Sequence, residues 1–359
     1  MKHDWNKNIL VFFISVLLSF LIAEVAIRYT IGHPLELSQA NIRIMLYDAG
    51  ENFINIGNIF KYYPNKLIRS EVYYIIDNKP ELEYRYTLRT NNAGLIQNKN
   101  ISPNQSYEIL LGDSFTEGEG ADPWFYELEQ NYSTPERQLI NGGILGTGPL
   151  QWEILKNHLH DNFSINFDRI NVIFIGGDIN RNIWNFSATQ LNCLQNANCD
   201  SNLGDFYGFH FSDKSDNEIN KSVSALYKKR NSFSLSQVLP ILAIKSAFIY
   251  NVYTYMKQNI FSMSLRERNL SAIKNLLNSG KEQGFAVLIT AKHETTITGE
   301  PKWDSSSLFA IKWLSEHGIE IHTCKLSMDD FHKHDSHPNS DGYRKIRQYV
   351  SSLIEKKDG

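Results

Sequence analysis

A serine directly after an apolar run is the first residue of this chain placed for chemistry. Leu110-Leu111-Gly112-Asp113-Ser114-Phe115-Thr116 reads as a strand end, a tight turn and a helix start. Ser114 would then stand at the top of a sheet, with the N–H groups of the turn aimed at its surroundings. That position suits a nucleophile. A hydroxyl needs a base, and Asp335-Ser336-His337-Pro338-Asn339 offers one near the C-terminus. An Asp two residues before a His, in a bend fixed by Pro, reaches Nδ1 and leaves Nε2 free to take the serine proton. Between these blocks lies Asn141-Gly142-Gly143-Ile144-Leu145-Gly146-Thr147-Gly148, whose glycines let a backbone N–H approach a developing oxyanion. Each block alone has a plainer reading: a turn, a helix cap at Asn339 or Ser340, a strand-to-helix connection. The GxSxG elbow of α/β hydrolases is absent, because position 116 is Thr.

Positioning such residues takes a sheet. After Ser106 the chain alternates short apolar runs with Gly-rich turns: YEILLGDS, RQLINGG, NVIFIGGD, FAVLIT and GIEIHT. Helix-like stretches at Asp122 to Gln130, Pro149 to His160 and Leu265 to Gly284 lie between them. Strand, turn and helix repeated in one direction predict a parallel sheet covered by helices on both faces. Its ligands belong at the carboxyl ends of the strands, where all three blocks fall. Upstream, Tyr-rich alternating segments such as EVYYIID and LEYRYTLRT predict a small β-rich leader over residues 30–105. Residues 185–235, rich in Asn, Ser and Asp, read as an insertion of loops. Residues 234–263 are apolar around most of a helical surface, which suits either a lid or an ordinary buried helix.

The order of the blocks resembles the SGNH/GDSL family of serine esterases and acyltransferases. The resemblance covers about residues 84–355 and includes the upstream run Tyr86-Thr87-Leu88-Arg89-Thr90-Asn91-Asn92-Ala93-Gly94, a lead-in of membrane-anchored members. It implies a three-layer α/β/α, flavodoxin-like fold with a five-stranded parallel sheet. It also implies Ser114 as nucleophile, His337 as general base, Asp335 as its orienter, and the N–H groups of Ser114 and Gly146 as oxyanion donors. The family's third block departs here. Where an Asn side chain would donate to the oxyanion, the strand NVIFI runs into Gly176-Gly177-Asp178-Ile179-Asn180-Arg181, with Gly177 at the Asn position. Loss of such a donor costs on the order of 10²–10³ in rate. Asn180, one turn later, or a substrate hydroxyl are the alternative donors. The DxH spacing, in place of the commoner DxxH, recurs in members acting on cell-surface polysaccharides.

The resemblance thus implies a serine-dependent ester hydrolase that works through an acyl-enzyme on O-acyl, chiefly acetyl, groups of envelope carbohydrate. An O-acetyltransferase or a silent glycan-binding scaffold would share every residue named. No cofactor and no metal is expected. A zinc site is the rival reading of the crowded Asp329, Asp330, His332, His334, Asp335 and His337, although no HExxH motif accompanies them.

Composition narrows the setting. The chain has 359 residues, 42% hydrophobic and 21% charged, with net charge −3, so disorder and a sequence-wide nucleic-acid-binding field are both excluded. Mean hydropathy of −0.35 excludes a multi-span protein. One apolar stretch, residues 8–27, can cross a bilayer, and Lys2 and Lys7 before it place the N-terminus in the cytoplasm and the rest outside. The reading adopted is an uncleaved anchor (1–29), then the leader (30–105) and a catalytic region (106–359) with an insertion at about 185–263, on the periplasmic or extracytoplasmic side. A cleaved signal peptide is the competing reading, without a small-x-small site to support it. Cys193 and Cys199 could close a loop disulfide in an oxidising compartment, leaving Cys324 single.

Overall fold

The computed structural model describes residues 2–30, 42–102, 105–121, 123–199, 206–230, 246, 248–249, 263–296 and 298–358. Most of the segment 234–263, and with it the lid reading, lies outside the described residues. The chain divides into two compact units, one of residues 1–42 and 231–263, the other of 43–230 and 264–359.

The strands described, in chain order, are β1 (Ile42–Asp48), β2 (Phe53–Ile56), β3 (Ile59–Tyr62), β4 (Leu67–Ile76), β5 (Lys79–Arg89), β6 (Ser106–Gly112), β7 (Arg137–Gly143), β8 (Phe167–Phe174), β9 (Phe206–Phe209), β10 (Ala286–Ile289) and β11 (Ile321–Cys324). The last five apolar runs named above become β6, β7, β8, β10 and β11. They form one parallel sheet in the order β11-β10-β8-β6-β7. Both faces of this sheet are buried, which is why its strands are continuously apolar. Ile109 and Leu111 point to one face, where they meet Trp152, Leu155, Leu270, Ile273 and Leu314. Leu110 points to the other, against Phe125, Leu128, Tyr343, Ile346 and Val350. Each of these fully buried side chains contributes about 2 kcal/mol. The helices Pro149–Phe163, Met263–Leu277 and Ser305–Glu316 thus cover one face, and Phe125–Tyr132 and Ser340–Asp358 the other. This is the expected three-layer α/β/α arrangement. In order of appearance the strands lie 2-1-3-4-5, so the strand order reverses beside β6 and β8, where doubly wound sheets place their ligands.

The Tyr-rich segments become β4 and β5, an antiparallel hairpin joined through Asp77 and Asn78. Both turn residues have positive φ, 48° and 62°, as a two-residue hairpin turn requires. Pro80 is tolerated because β5 is an edge strand of the sheet β5-β4-β1-β9. The fourth strand of that sheet comes from the supposed loop insertion. Residues 185–235 in fact contain the helices Ala188–Asn196 and Asp216–Arg230 as well as β9, which pairs in parallel with β1. Ser187 and Gln190 form a capping box at the first of these helices, a local signal outweighed by the polar composition. The helix expected to continue to Gly284 ends at Leu277, because Gly280 and Gly284 press against the backbone of Asp168 and Ile170. Cys193 and Cys199 form a disulfide, and Cys324 is free and buried.

In the other unit the helix Lys2–Thr30 holds a 22-residue stretch, Ile9–Thr30, with mean hydropathy 2.7. At 1.5 Å per residue it is about 33 Å long, enough to cross a hydrocarbon core. None of its most apolar window is buried, and Phe12, Phe13, Leu17 and Ile22 are all more than half exposed. It is not the core helix of a folded domain.

Candidate active site

Ser114 begins a one-turn helix, Ser114–Glu117, immediately after β6. The Asp113 carboxylate caps that turn by accepting from the Phe115 N–H at 2.9 Å. Gly112 is required at the strand end, since a Cβ there would strike the Thr116 side chain and the Ile173 carbonyl. The turn is thereby pulled tight over β6 and β8, which leaves the Ser114 side chain at the switch point of the sheet.

His337 arrives from the opposite end of the chain. Its loop is pinched by a bridge between Phe331 and Pro338 and by the His332 N–H donating to the His337 carbonyl at 3.2 Å. Asn339 caps the closing helix through the N–H groups of Asp341 and Gly342, as the capping reading of this motif expects. The Lys292 ammonium donates to the carbonyls of His332, Lys333 and Asp335. So held, the imidazole Nε2 lies 2.9 Å from Ser114 Oγ, and Nδ1 lies 2.5 Å from Asp335 Oδ1. Ser114 is 4% exposed and the His337 side chain 12%. The three residues singled out from the two terminal blocks are therefore in hydrogen-bonding sequence.

Asp335 is further constrained by the leader. Its Oδ2 accepts from the hydroxyls of Tyr74 in β4 at 2.8 Å and Tyr84 in β5 at 3.0 Å, and from Arg43 Nε in β1 at 3.1 Å. Burial alone would raise its pKa. The His337 ring and the Arg43 guanidinium outweigh burial and hold the carboxyl well below the usual range. Arg43 also pairs with Glu119, whose Oε2 lies 3.2 Å from His337 Nε2. Burial opposes a charged imidazole here, yet the carboxylates of Glu119 and Asp335 raise the His337 pKa above its ordinary value. Nothing in the local sequence marks Arg43, Tyr74, Tyr84 or Glu119 as site residues. They reach Asp335 and His337 through tertiary contacts as long as 292 positions.

The glycine loop closes over the end of β6, with the Ile144 N–H donating to the Gly112 carbonyl at 3.2 Å. Gly146 has φ +69°, and a Cβ there would also meet the Trp184 ring, so glycine is required. Among the described residues no acceptor sits on the N–H of Ser114 or of Gly146. Arg181 ties the three blocks together, since its Nη1 meets Asp113 Oδ2 at 3.0 Å, Asp178 Oδ1 at 3.1 Å and the Thr147 carbonyl at 2.9 Å. Burial, reinforced by the nearby Asp113, pushes the Asp178 carboxyl well up despite Arg181. Glu117, buried beneath the loop, accepts from Tyr62 and from the Leu145 N–H, and burial raises its pKa strongly.

The other expected donors fall differently. Asn180 has its amide engaged by other partners: Nδ2 donates to Ser306 Oγ at 3.0 Å and Oδ1 accepts from Arg266 at 2.6 Å. Gly177 is exposed, and a Cβ there would meet only Ile175 Cδ1, at 3.9 Å. The crowded acidic and histidine segment is dispersed among separate partners. Asp330 pairs with Lys345, the His332 ring with the Gly120 carbonyl, and Asp335 with His337 and Arg43. Among the described residues, His293, Glu294 and Asp304, outside that segment, bring one possible ligand atom each within 4.8 Å of one another.

No family model matches the chain, and no curated protein matches it. Solved structures align with it at low identity. A protein from Lactobacillus plantarum is 14% identical over 71% of this chain and 99% of its own, with a TM-score of 0.34. A member of the lipolytic protein G-D-S-L family from Veillonella parvula is 12% identical over 70% and 98%, with a TM-score of 0.28. A lipase/acylhydrolase from Enterococcus faecalis is 13% identical over 70% and 97%, with a TM-score of 0.31.

Proposed function

We propose that this chain is a serine-dependent ester hydrolase of the SGNH/GDSL type, acting through an acyl-enzyme on O-acyl groups, chiefly acetyl, of envelope carbohydrate. The observation that carries the reading is the relay Ser114 Oγ, His337 Nε2, His337 Nδ1, Asp335 Oδ1, with steps of 2.9 Å and 2.5 Å across its two hydrogen bonds. In this mechanism Nε2 takes the hydroxyl proton as Oγ bonds to the acyl carbon. The oxyanion receives the unengaged N–H groups of Ser114 and Gly146. The imidazolium then protonates the leaving alkoxide, and water repeats the cycle in reverse to free the acid. The test is turnover of p-nitrophenyl acetate, and of acetylated polysaccharide, by the full chain in detergent. Serine-dependent acetate release supports hydrolysis. Acetyl transfer to a sugar without acetate release would instead favour the transferase.

The side-chain donor at position 177 is missing, and the site around Gly177 has room for one. Gly177→Asn is therefore expected to raise kcat about tenfold or more, since one such donor is worth on the order of 10²–10³ when well placed. An unchanged kcat in a folded variant would mean that the oxyanion is already satisfied.

We further propose that the N-terminal helix is a single-pass anchor with the catalytic region outside the inner, or plasma, membrane. The exposed apolar helix and the Cys193–Cys199 disulfide support this setting. Full-length protein is expected to stay in the membrane pellet after alkaline carbonate extraction, and removal of residues 1–29 to release it. Release of the full-length chain would refute the anchor.

A further inference from the structure

The imidazole of His337 has a carboxylate at each ring nitrogen, one more than the proposed mechanism uses. Asp335 Oδ1 sits on Nδ1, and Glu119 Oε2 lies 3.2 Å from Nε2, the nitrogen that must accept the Ser114 proton. A neutral imidazole with its proton on Nδ1 would aim the Nε2 lone pair at a buried carboxylate, which is repulsive. An imidazolium removes that conflict, because its Nε2–H can be shared between Glu119 and Ser114 Oγ.

The charges around the ring agree. Arg43 from β1 pairs with both Glu119 and Asp335. Arg43, Glu119 and Asp335 together with a protonated His337 sum to zero, whereas a neutral His337 leaves one uncompensated negative charge among side chains that are at most a fifth exposed. Of the other groups facing this cluster, the Arg181 guanidinium also feels Glu119 but is paired with Asp113 and Asp178, and burial raises the pKa of the Tyr343 hydroxyl. Tyr74 and Tyr84 act as hydroxyl donors, and burial raises their pKa. The His332 ring is lowered by burial and bonded to the Gly120 carbonyl. Lys292 feels the Asp335 charge but spends its ammonium on backbone carbonyls, and the Phe115 ring lies tilted against the imidazole, with centroids 5.5 Å apart. The serine is arranged to match, because its hydroxyl has a second acceptor in Asp113 Oδ2 at 3.4 Å, where its proton can point while Nε2 is a donor.

Building on the triad reading, we propose that Glu119 is a second carboxylate on the catalytic imidazole that keeps His337 protonated in the resting site, and so sets the pH above which Ser114 becomes a nucleophile. Glu119 is held for this by Arg43 and by the Tyr84 hydroxyl, 3.1 Å from its Oε1. Since the base form of His337 is the competent one, activity rises as pH increases through the elevated titration of the ring. Removing the Glu119 charge moves that rise to lower pH.

The experiment is a pH titration of the full chain carrying ¹⁵N,¹³C-labelled histidine, with the His337 signal assigned by its loss in His337→Gln. In the wild-type protein both ring nitrogens are expected to be protonated at pH 7. In Glu119→Gln the midpoint is expected to fall by at least one pH unit, and in Glu119→Asp by less. Where ester turnover is measurable, kcat/KM of Glu119→Gln at pH 6 should exceed wild type about tenfold, one pH unit on the acid limb. A neutral His337 at pH 7 in the wild type overturns the proposal without recourse to any variant, as does an unmoved midpoint in a folded Glu119→Gln. A protein with no esterase activity at all would still show its imidazole titration, so failure of the hydrolase reading and failure of this one are distinguishable.

Discussion

Ser114→Ala is expected to lower ester turnover by on the order of 10⁴-fold or more while leaving the unfolding midpoint within about 1 °C. The activity loss follows from removing the hydroxyl bonded to His337 Nε2 in the proposed relay, leaving the oxyanion donors to supply residual rate. Stability should be spared, because the turn is held by other groups. Asp113 caps it, Gly112 lets it close, and the Trp124 indole donates to the carbonyls of Phe115 and Thr116. Among the described residues Oγ itself bonds only to His337 and, at 3.4 Å, to Asp113. The check pairs p-nitrophenyl acetate kinetics with thermal unfolding of the same preparation. Wild-type turnover in the variant would remove Ser114 from the mechanism.

Asp335→Asn should be as damaging to catalysis, about 10⁴-fold in kcat by analogy with triad carboxylates, and unlike the serine variant it should also cost stability. Every acceptor position of this carboxylate is used. Oδ1 takes the His337 N–H and Nδ1, and Oδ2 takes Tyr74, Tyr84 and Arg43. An Asn must present its NH₂ to one of those two sets of donors. Turned inward it forces the wrong imidazole tautomer, and turned outward it faces two hydroxyls and a guanidinium. Removing one partner of a buried charge cluster costs about 3–5 kcal/mol. The pH dependence has a definite sign: since the folded carboxyl is depressed, its contribution is complete above the unfolded value of about 3.9 and fades as pH falls below it. A variant that unfolds at the wild-type midpoint and keeps its activity would show that Asp335 does not orient the ring.

The parts legible in the sequence were those with local signatures. The five strands of the parallel sheet announce themselves because each is buried on both faces and closed by a Gly-rich turn, so a run such as NVIFIGG has no other comfortable structure. Ser114, Asp335 and His337 were legible for the same reason, being short blocks at strand ends or in a Pro-fixed bend. What composition hid were elements whose partners are distant. β9 is four residues long and acquires its meaning only by pairing with β1, more than 150 residues earlier. Asn180 looked available one turn past β8, but Arg266 and Ser306, on two helices later in the chain, take its amide. Glu119 and Arg43 were invisible as site residues because a buried charge identifies itself only through its counter-charge, and theirs lie across the fold.

The hydrogen bond from Arg43 to Asp335 joins residues 292 positions apart. During synthesis, the nucleophile block and the leader sheet leave the ribosome long before the base and its orienter exist. A nascent or truncated chain therefore carries Ser114 without an activator, and its Arg43, Glu119 and Tyr84 without Asp335 to complete their charge balance. The Tyr343 hydroxyl, on the helix that follows His337, donates to the Glu119 carbonyl at 2.6 Å and is one contact that joins these halves. Contacts of such long sequence separation carry a large loop-closure cost, and the site cannot assemble before residues 335–337 have been made.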